Sequence, residues 1–239
     1  MKTTLTHAGY APVNGINMYY EIHGHGDIPL LLIHGGGSTI QSSFAVMLPL
    51  LSKKRKIIAA ELAAHGRTAD RHAPGSFEQD ADDIAGLLKY LNLSKADILG
   101  FSNGGTTALQ IAIRHPGMVH KIIVVSANYR RDGMVPGFFD GMQYATLDNM
   151  PDPLKTAFLA VNSDKEGLQN MFNKDKERMI HFRDIPDEAI QSIKAPALLI
   201  AGDQDVVTKE HVVKLSQLIK GARMAILPGN HGSFMGEAC

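Results

Sequence analysis

The sequence predicts an α/β protein built on a mainly parallel sheet, and three observations carry that prediction. Short apolar runs alternate with longer segments of helical periodicity along the chain. Several runs are continuously apolar and β-branched, as expected of strands covered by helices on both faces. One of them, "ADILGFS" (96–102), turns straight into a helix-patterned segment through Gly100-Phe101-Ser102-Asn103-Gly104-Gly105.

In chain order the strand candidates are "INMYYEI" (16–22), "PLLLIHG" (29–35), "RKIIAAEL" (55–62), "ADILGFS" (96–102), "KIIVVSA" (121–127), "PALLIAG" (196–202) and "RMAILPG" (223–229). The helix candidates lie between them: 39–53, 76–91, 104–115 and 209–221. The second opens on Ser76 and Gln79 at capping-box spacing, with acidic residues in its first turns. The third stops at Pro116, which cannot continue a helix. Strand-helix alternation with short connections favours parallel neighbours. Residues 128–193 break the rhythm: they carry methionines and aromatics but no strong strand signal, and they are too long for a bare loop. They are expected to form a helical cap over one end of the sheet, inserted into a core of residues 1–127 and 194–239. Its methionines and aromatics are expected mainly to form the cap's own core, a few lining an adaptable apolar pocket.

A chain of 239 residues with 44% hydrophobic and 20% charged composition has enough apolar material for a substantial core. Lysine plus arginine balances aspartate plus glutamate at 24 each, so no bulk field favours nucleic acid or an anionic membrane. No apolar run reaches spanning length, and the N-terminal stretch has no apolar h-region. The single cysteine, Cys239, excludes an intramolecular disulfide or a cysteine-based metal cage and fits a reducing, cytoplasmic setting.

The strand-to-helix turn at Ser102 explains its flanking glycines, because side chains at positions 100 and 104 would collide around a strained residue. The hydroxyl then projects above the sheet edge at a helix N-terminus, a place that favours developing negative charge. A serine becomes a nucleophile only when a base takes its proton and a third group orients that base. Of eleven histidines, His231 lies in a glycine-rich loop just past the last strand candidate. His34 suits a different role in its glycine-rich loop, and His65, His72, His115, His120, His181 and His211 are expected on the surface or in loops. His23 and His25 resemble a turn, and an H-x-H zinc pair there lacks a third ligand. At the end of "PALLIAG", Asp205 is the expected acid, while Asp203 is expected to cap backbone N–H groups. The chain order Ser102, Asp205, His231 is the order such a site uses. An oxyanion hole needs two backbone N–H groups, expected from Asn103 and from Gly36, with Gly37 as the alternative. The glycines of "HGGGS" are not followed by Lys-Ser or Lys-Thr, which disfavours a nucleotide loop.

On these residues the sequence resembles the α/β-hydrolase family: His34-Gly35-Gly36-Gly37, Gly100 to Gly105, Arg114-His115-Pro116, Gly202-Asp203-Gln204-Asp205 and Asn230-His231-Gly232. Glu61 to Thr68 is similar to the family's Asp-x-x-Gly-x-Gly-x-Ser turn, with glutamate for aspartate and Ala64 for the first glycine. The resemblance implies an eight-stranded sheet, a cap after the sixth strand, and Ser–His–Asp hydrolysis without cofactor or metal. Family members usually carry a helix after the histidine loop. This sequence ends eight residues past His231, so a truncated sequence and a missing helix, with an apolar sheet face open to a partner, are both expectations. "HGGGST" is similar to the glycine-rich loop of cofactor-free carbon–carbon bond hydrolases, with Ser38 where a proline usually stands.

The expected activity is hydrolysis of an ester or related acyl bond of a small-to-medium apolar substrate. Carbon–carbon bond hydrolysis or peracid formation on the same triad is the first alternative, and a non-catalytic ligand sensor on the same fold is the second. Epoxide hydrolysis and dehalogenation would call for aspartate at position 102.

Overall fold

The computed structural model describes residues 5–236, so Cys239 lies outside the described residues. Among the described residues the strands are β1 (Leu5–Val13), β2 (Ile16–His23), β3 (Leu30–Ile33), β4 (Ile57–Ala60), β5 (Ala96–Phe101), β6 (Val119–Val125), β7 (Ala197–Gly202) and β8 (Arg223–Leu227). They form one sheet in the order β1-β2-β4-β3-β5-β6-β7-β8. Every pairing from β4 to β8 is parallel, and β1 and β2 add an antiparallel edge.

The continuously apolar runs follow from burial on both faces. Leu31, Ile33, Ile58, Ala60 and Ile98 face one core, while Leu30, Leu32, Ile57, Ala59 and Leu99 face another across the sheet. A pleated strand alternates its side chains, so a strand with two cores needs apolar residues at every position.

All seven expected strands form, and β1 is an addition. Its pattern is mostly exposed and includes Pro12, so it lacks the apolar run that marks the central strands. The signal that would have found it is Asn14-Gly15, whose positive φ values of 44° and 85° form the tight turn of the β1–β2 hairpin.

The expected helix at 39–53 is instead two short ones, α1 (Ile40–Phe44) and α2 (Met47–Leu51). The Thr39 side chain accepts the Ser42 N–H while the Ser42 side chain accepts the Thr39 N–H, closing a capping box at α1. In α3 (Phe77–Tyr90) the Ser76 hydroxyl accepts the Gln79 N–H at 3.1 Å, but the Gln79 side chain donates forward to Asp83 instead of accepting the Ser76 N–H, so the box stays half closed. The helix that follows Ser102, α4 (Asn103–Arg114), stops before Pro116 as expected. Four helices lie between β6 and β7: α5 (Phe138–Tyr144), α6 (Asp152–Val161), α7 (Lys165–Ile180) and α8 (Asp187–Gln191). Helix α9 (Lys209–Leu218) precedes β8. Met150, Phe158, Leu168 and Met171 make a separate small core among these helices, whereas Met134, Phe139, Met179 and Phe182 join the main one. On β8, Met224 and Leu227 are exposed.

Of the histidines expected on the surface or in loops, His65 does lie in a loop but is buried, and His211 is buried within α9. His211 and His34 both use the ring as an acceptor for a backbone N–H: Leu62 donates to His34 Nε2 at 3.0 Å and Tyr129 to His211 Nε2 at 3.1 Å. Burial is the main cause that pushes His34 down to about 3 and His211 down to about 4. In the unfolded chain each would protonate near pH 6.5. Their contribution to stability is therefore present above about pH 6.5 and is lost as pH falls toward those folded values. The urea midpoint should drop between about pH 6.5 and pH 4, and His211→Gln, which does not titrate, should flatten that drop. An unchanged slope would contradict a neutral His211.

Candidate active site

Ser102 ends β5 and opens α4 with φ 53° and ψ −122°, a conformation that costs a non-glycine residue about 1–3 kcal/mol. The surroundings hold it there. Its N–H donates to Val125 O at 2.8 Å, and its carbonyl accepts from Gly105 and Thr106. A Cβ at Gly100 would run into the Gly104 carbonyl, and one at Gly104 into the Ile33 carbonyl. The flanking glycines thus let β5, α4 and β3 approach closely enough to force the turn.

His231 reaches this hydroxyl from the loop after β8. Its Nδ1 lies 2.7 Å from Asp205 Oδ1 and its Nε2 lies 3.1 Å from Ser102 Oγ. A carboxylate only accepts, so the proton sits on Nδ1 and Nε2 is left as the acceptor for the serine proton. Phe101 supports the ring at a centroid distance of 5.0 Å.

Asp205 is buried and has all its lone-pair directions occupied. Oδ1 accepts from His231 and from the Val207 N–H at 3.2 Å, while Oδ2 accepts from Ser126 Oγ at 2.5 Å and from the Gly202 N–H at 3.2 Å. Burial pushes its carboxyl up, but the hydrogen bonds and charge of His231, then Ser126 and Val207, outweigh that and hold it below the usual carboxylate range. Asp203 does what its position suggested, accepting the Gly229 N–H at 2.9 Å and tying the two loops together.

The glycine-rich loop after β3 lies against the turn. A Cβ at Gly35 would be 3.3 Å from Ser102 Cβ, and one at Gly36 would be 2.5 Å from Asn103 Nδ2. Among the hydrogen bonds of the described residues, neither the Gly36 nor the Asn103 N–H is used as a donor. The Gly37 N–H is taken: it donates to Asp175 Oδ2 at 2.6 Å. Of the two glycines considered beside Asn103, it is thus Gly36 whose N–H has no acceptor among the described residues. Met150 and Leu154 cover the same loop on the apolar side, with Met150 Cε only 2.8 Å from where a Gly37 Cβ would lie.

His34 is structural. Its Nδ1–H donates to Gly35 O at 2.8 Å while Nε2 accepts the Leu62 N–H, which locks the start of the glycine loop to the turn after β4. In that turn Glu61 is buried and accepts from the Arg67 N–H and guanidinium at 2.7 and 2.8 Å. Ala64 is left at φ 66°, where the related turn has glycine. His23 ends β2 and is buried against Glu21 at 2.8 Å, not in a turn.

Reasoning from the sequence missed two side chains here. Ser126, at φ 51° after β6, was visible at the end of "KIIVVSA", and the neighbouring placement of β6 and β7 is the signal that would have linked it to Asp205. Asp175 sits in the middle of α7 with no local mark of any kind. A cavity of about 960 Å³ between α7 and the 70–78 segment, lined by Asp70, Ser76, Phe77, Asn170 and Phe182 among others, does not border Ser102, Asp205 or His231.

A hydroxyl at a strained strand-to-helix turn, with an imidazole and carboxylate in line behind it and a glycine loop beside it, is an arrangement suited to hydrolysis. A family model described as the alpha/beta hydrolase fold matches residues 28–177, and the chain belongs to that family. It is an enzyme of the hydrolase class. The chain is 29% identical over 244 residues to a human (Homo sapiens) protein, serine hydrolase BPHL, covering 96% of this chain and 81% of that protein. It is 26% identical over 220 residues to a 2-hydroxy-6-oxo-2,4-heptadienoate hydrolase of Pseudomonas putida, covering 83% and 80%. Among solved structures it is similar to an enol-lactonase from Burkholderia xenovorans LB400, with a TM-score of 0.75, 27% identity and coverage of 94% and 93%. Among the described residues no helix is long and apolar enough to cross a membrane.

Proposed function

We propose that this hydrolase cleaves an ester or related acyl bond of a small-to-medium apolar substrate through an acyl-enzyme on Ser102. The observation that supports it most is the continuous chain from Ser102 Oγ through His231 to Asp205, at 3.1 and 2.7 Å. In this reading Ser102 attacks the carbonyl carbon as His231 Nε2 takes its proton. The carbonyl oxygen becomes an oxyanion held by the Gly36 and Asn103 N–H groups, at the positive end of α4. His231 then gives the proton to the leaving alcohol, and Asp205 balances the imidazolium charge without itself taking a proton. Water repeats the two steps on the acyl-enzyme and frees the acid. No cofactor or metal enters the scheme.

Residues 128–193 serve as the cap, and Met150 and Leu154 beside Gly37 support an apolar acyl or alcohol group. The charge balance and the lone Cys239 support a cytoplasmic setting. Carbon–carbon bond cleavage in a dienoic ketone is the second reading, supported by the likeness to the heptadienoate hydrolase. A panel of p-nitrophenyl esters of increasing acyl length, run beside a 2-hydroxy-6-oxo-dienoate, separates the two. Ester turnover at least tenfold faster than ketone cleavage in kcat/KM is expected, and the reverse ranking would replace the first reading with the second.

A further inference from the structure

Helix α7 lies far from the triad in sequence, yet its Asp175 touches the loop that supplies the oxyanion donor. The carboxylate is buried, and Oδ2 accepts from two groups of the core at once: the Gly37 N–H at 2.6 Å and His65 Nε2 at 2.9 Å. The other ring nitrogen of His65, Nδ1, faces the Ala63 carbonyl at 2.9 Å. Both nitrogens of His65 therefore face acceptors, which requires both to carry protons, so His65 is an imidazolium paired with Asp175. The electrostatics agree. Burial opposes charge on both groups, but their mutual attraction and hydrogen bond prevail, holding His65 above and Asp175 well below their ordinary values.

One turn further along α7, Arg178 Nη1 makes a second buried contact to the core, with Asp80 Oδ2 of α3 at 2.7 Å. These two contacts differ in what they reach. Arg178–Asp80 joins helix to helix, whereas Asp175 joins the helix to the backbone of the oxyanion loop. Gly37 is at φ 65°, and with its N–H turned to Asp175 the preceding Gly36 N–H is left without a protein acceptor beside Asn103. A bare carboxylate this close to a developing oxyanion would oppose it, and the adjoining His65 charge cancels that effect.

We propose that Asp175 is a positioning residue that holds the Gly36–Gly37 loop with the Gly36 N–H on the substrate oxygen, so that seating of α7 and formation of the oxyanion hole are one event. The proposal rests on the acyl-hydrolase reading. Asp175 touches no reacting atom and acts through the backbone of Gly37.

The test uses the full chain and p-nitrophenyl butyrate, with kcat, KM and thermal midpoint measured for the parent, Asp175→Ala, Asp175→Asn and Asp80→Asn. Asp175→Ala frees the loop and should lower kcat about 100-fold, as a displacement near 1 Å of a catalytic group does, with KM within about twofold of the parent. Asp175→Asn keeps an oxygen that can accept the Gly37 N–H and should recover most of that loss. Asp80→Asn removes the helix-to-helix ion pair and leaves Arg178 with Asp175, whose Oδ1 lies 3.8 Å from its guanidinium, but keeps the Asp175–Gly37 bond. It should lower the thermal midpoint with a far smaller loss of kcat than Asp175→Ala. Equal kcat losses in Asp175→Asn and Asp175→Ala, or losses that merely follow the thermal midpoint across all three variants, would overturn the proposal. Amide hydrogen exchange on the parent gives an answer that does not depend on any variant folding: the Gly37 N–H should exchange far more slowly than that of Gly36, and comparable fast exchange at both would overturn it. If the parent turns over no ester at all, the acyl-hydrolase reading fails and the inference with it. If the parent is active and Asp175→Ala matches it, only the inference fails.

Discussion

Ser102→Ala is expected to lower kcat/KM on p-nitrophenyl butyrate by about 10⁶-fold, the scale at which removal of a hydrolase nucleophile leaves only binding and the oxyanion hole. The thermal midpoint should barely move, because alanine keeps the same strained backbone and the hydroxyl makes one hydrogen bond, to His231. Ser102→Gly separates the two effects further. Glycine tolerates φ 53° without the Cβ penalty, so this variant should be about as inactive as Ser102→Ala yet more stable than the parent by about 1 kcal/mol. Loss of activity together with a gain in stability would mark strain maintained for chemistry. Kinetics and thermal melts on the two variants check it. A Ser102→Ala variant retaining more than one hundredth of the activity would place the chemistry elsewhere.

Asp205→Asn should be nearly as damaging, about 10⁴-fold in kcat, although the side chains have almost the same shape. The reason lies in what surrounds the carboxylate. Oδ2 accepts from the Gly202 N–H and the Ser126 hydroxyl and Oδ1 from the Val207 N–H and His231, so asparagine, with one carbonyl oxygen, cannot serve both sides. Asparagine is expected to place that oxygen on the Oδ2 side. Its NH₂ group is then directed at His231 Nδ1, which must become an acceptor. The ring proton moves to Nε2, and Nε2 can no longer take the proton of Ser102. A kcat within tenfold of the parent would show that the tautomer is set by something other than Asp205.

The parallel sheet and the turn at Ser102 were legible because both rest on local patterns. Strands with a core on each face need apolar residues at every position, and a strained turn flanked by close-packed backbone needs glycine at positions 100 and 104. That His231 and Asp205 come together beside Ser102 was legible through chain order and their places after the last strands. The edge strand β1 was not, since an exposed edge carries no apolar run, and the helix expected at 39–53 divides near Ala45 and Val46. The buried histidines escaped for a related reason. Nothing near His65 or His211 in sequence announces the carboxylate of Asp175, 110 residues away, or the backbone N–H of Tyr129, 82 residues away. Ser126 and Asp175 belong to the same class, polar side chains whose partners are supplied by the tertiary fold.

The central claim is that Ser102 is an activated nucleophile, and intact-mass spectrometry after treatment with a fluorophosphonate probe tests it most directly. One adduct is expected on the parent, none on Ser102→Ala, and a markedly slowed reaction on His231→Ala. An unmodified parent that is demonstrably folded, or an adduct that persists in Ser102→Ala, would contradict it.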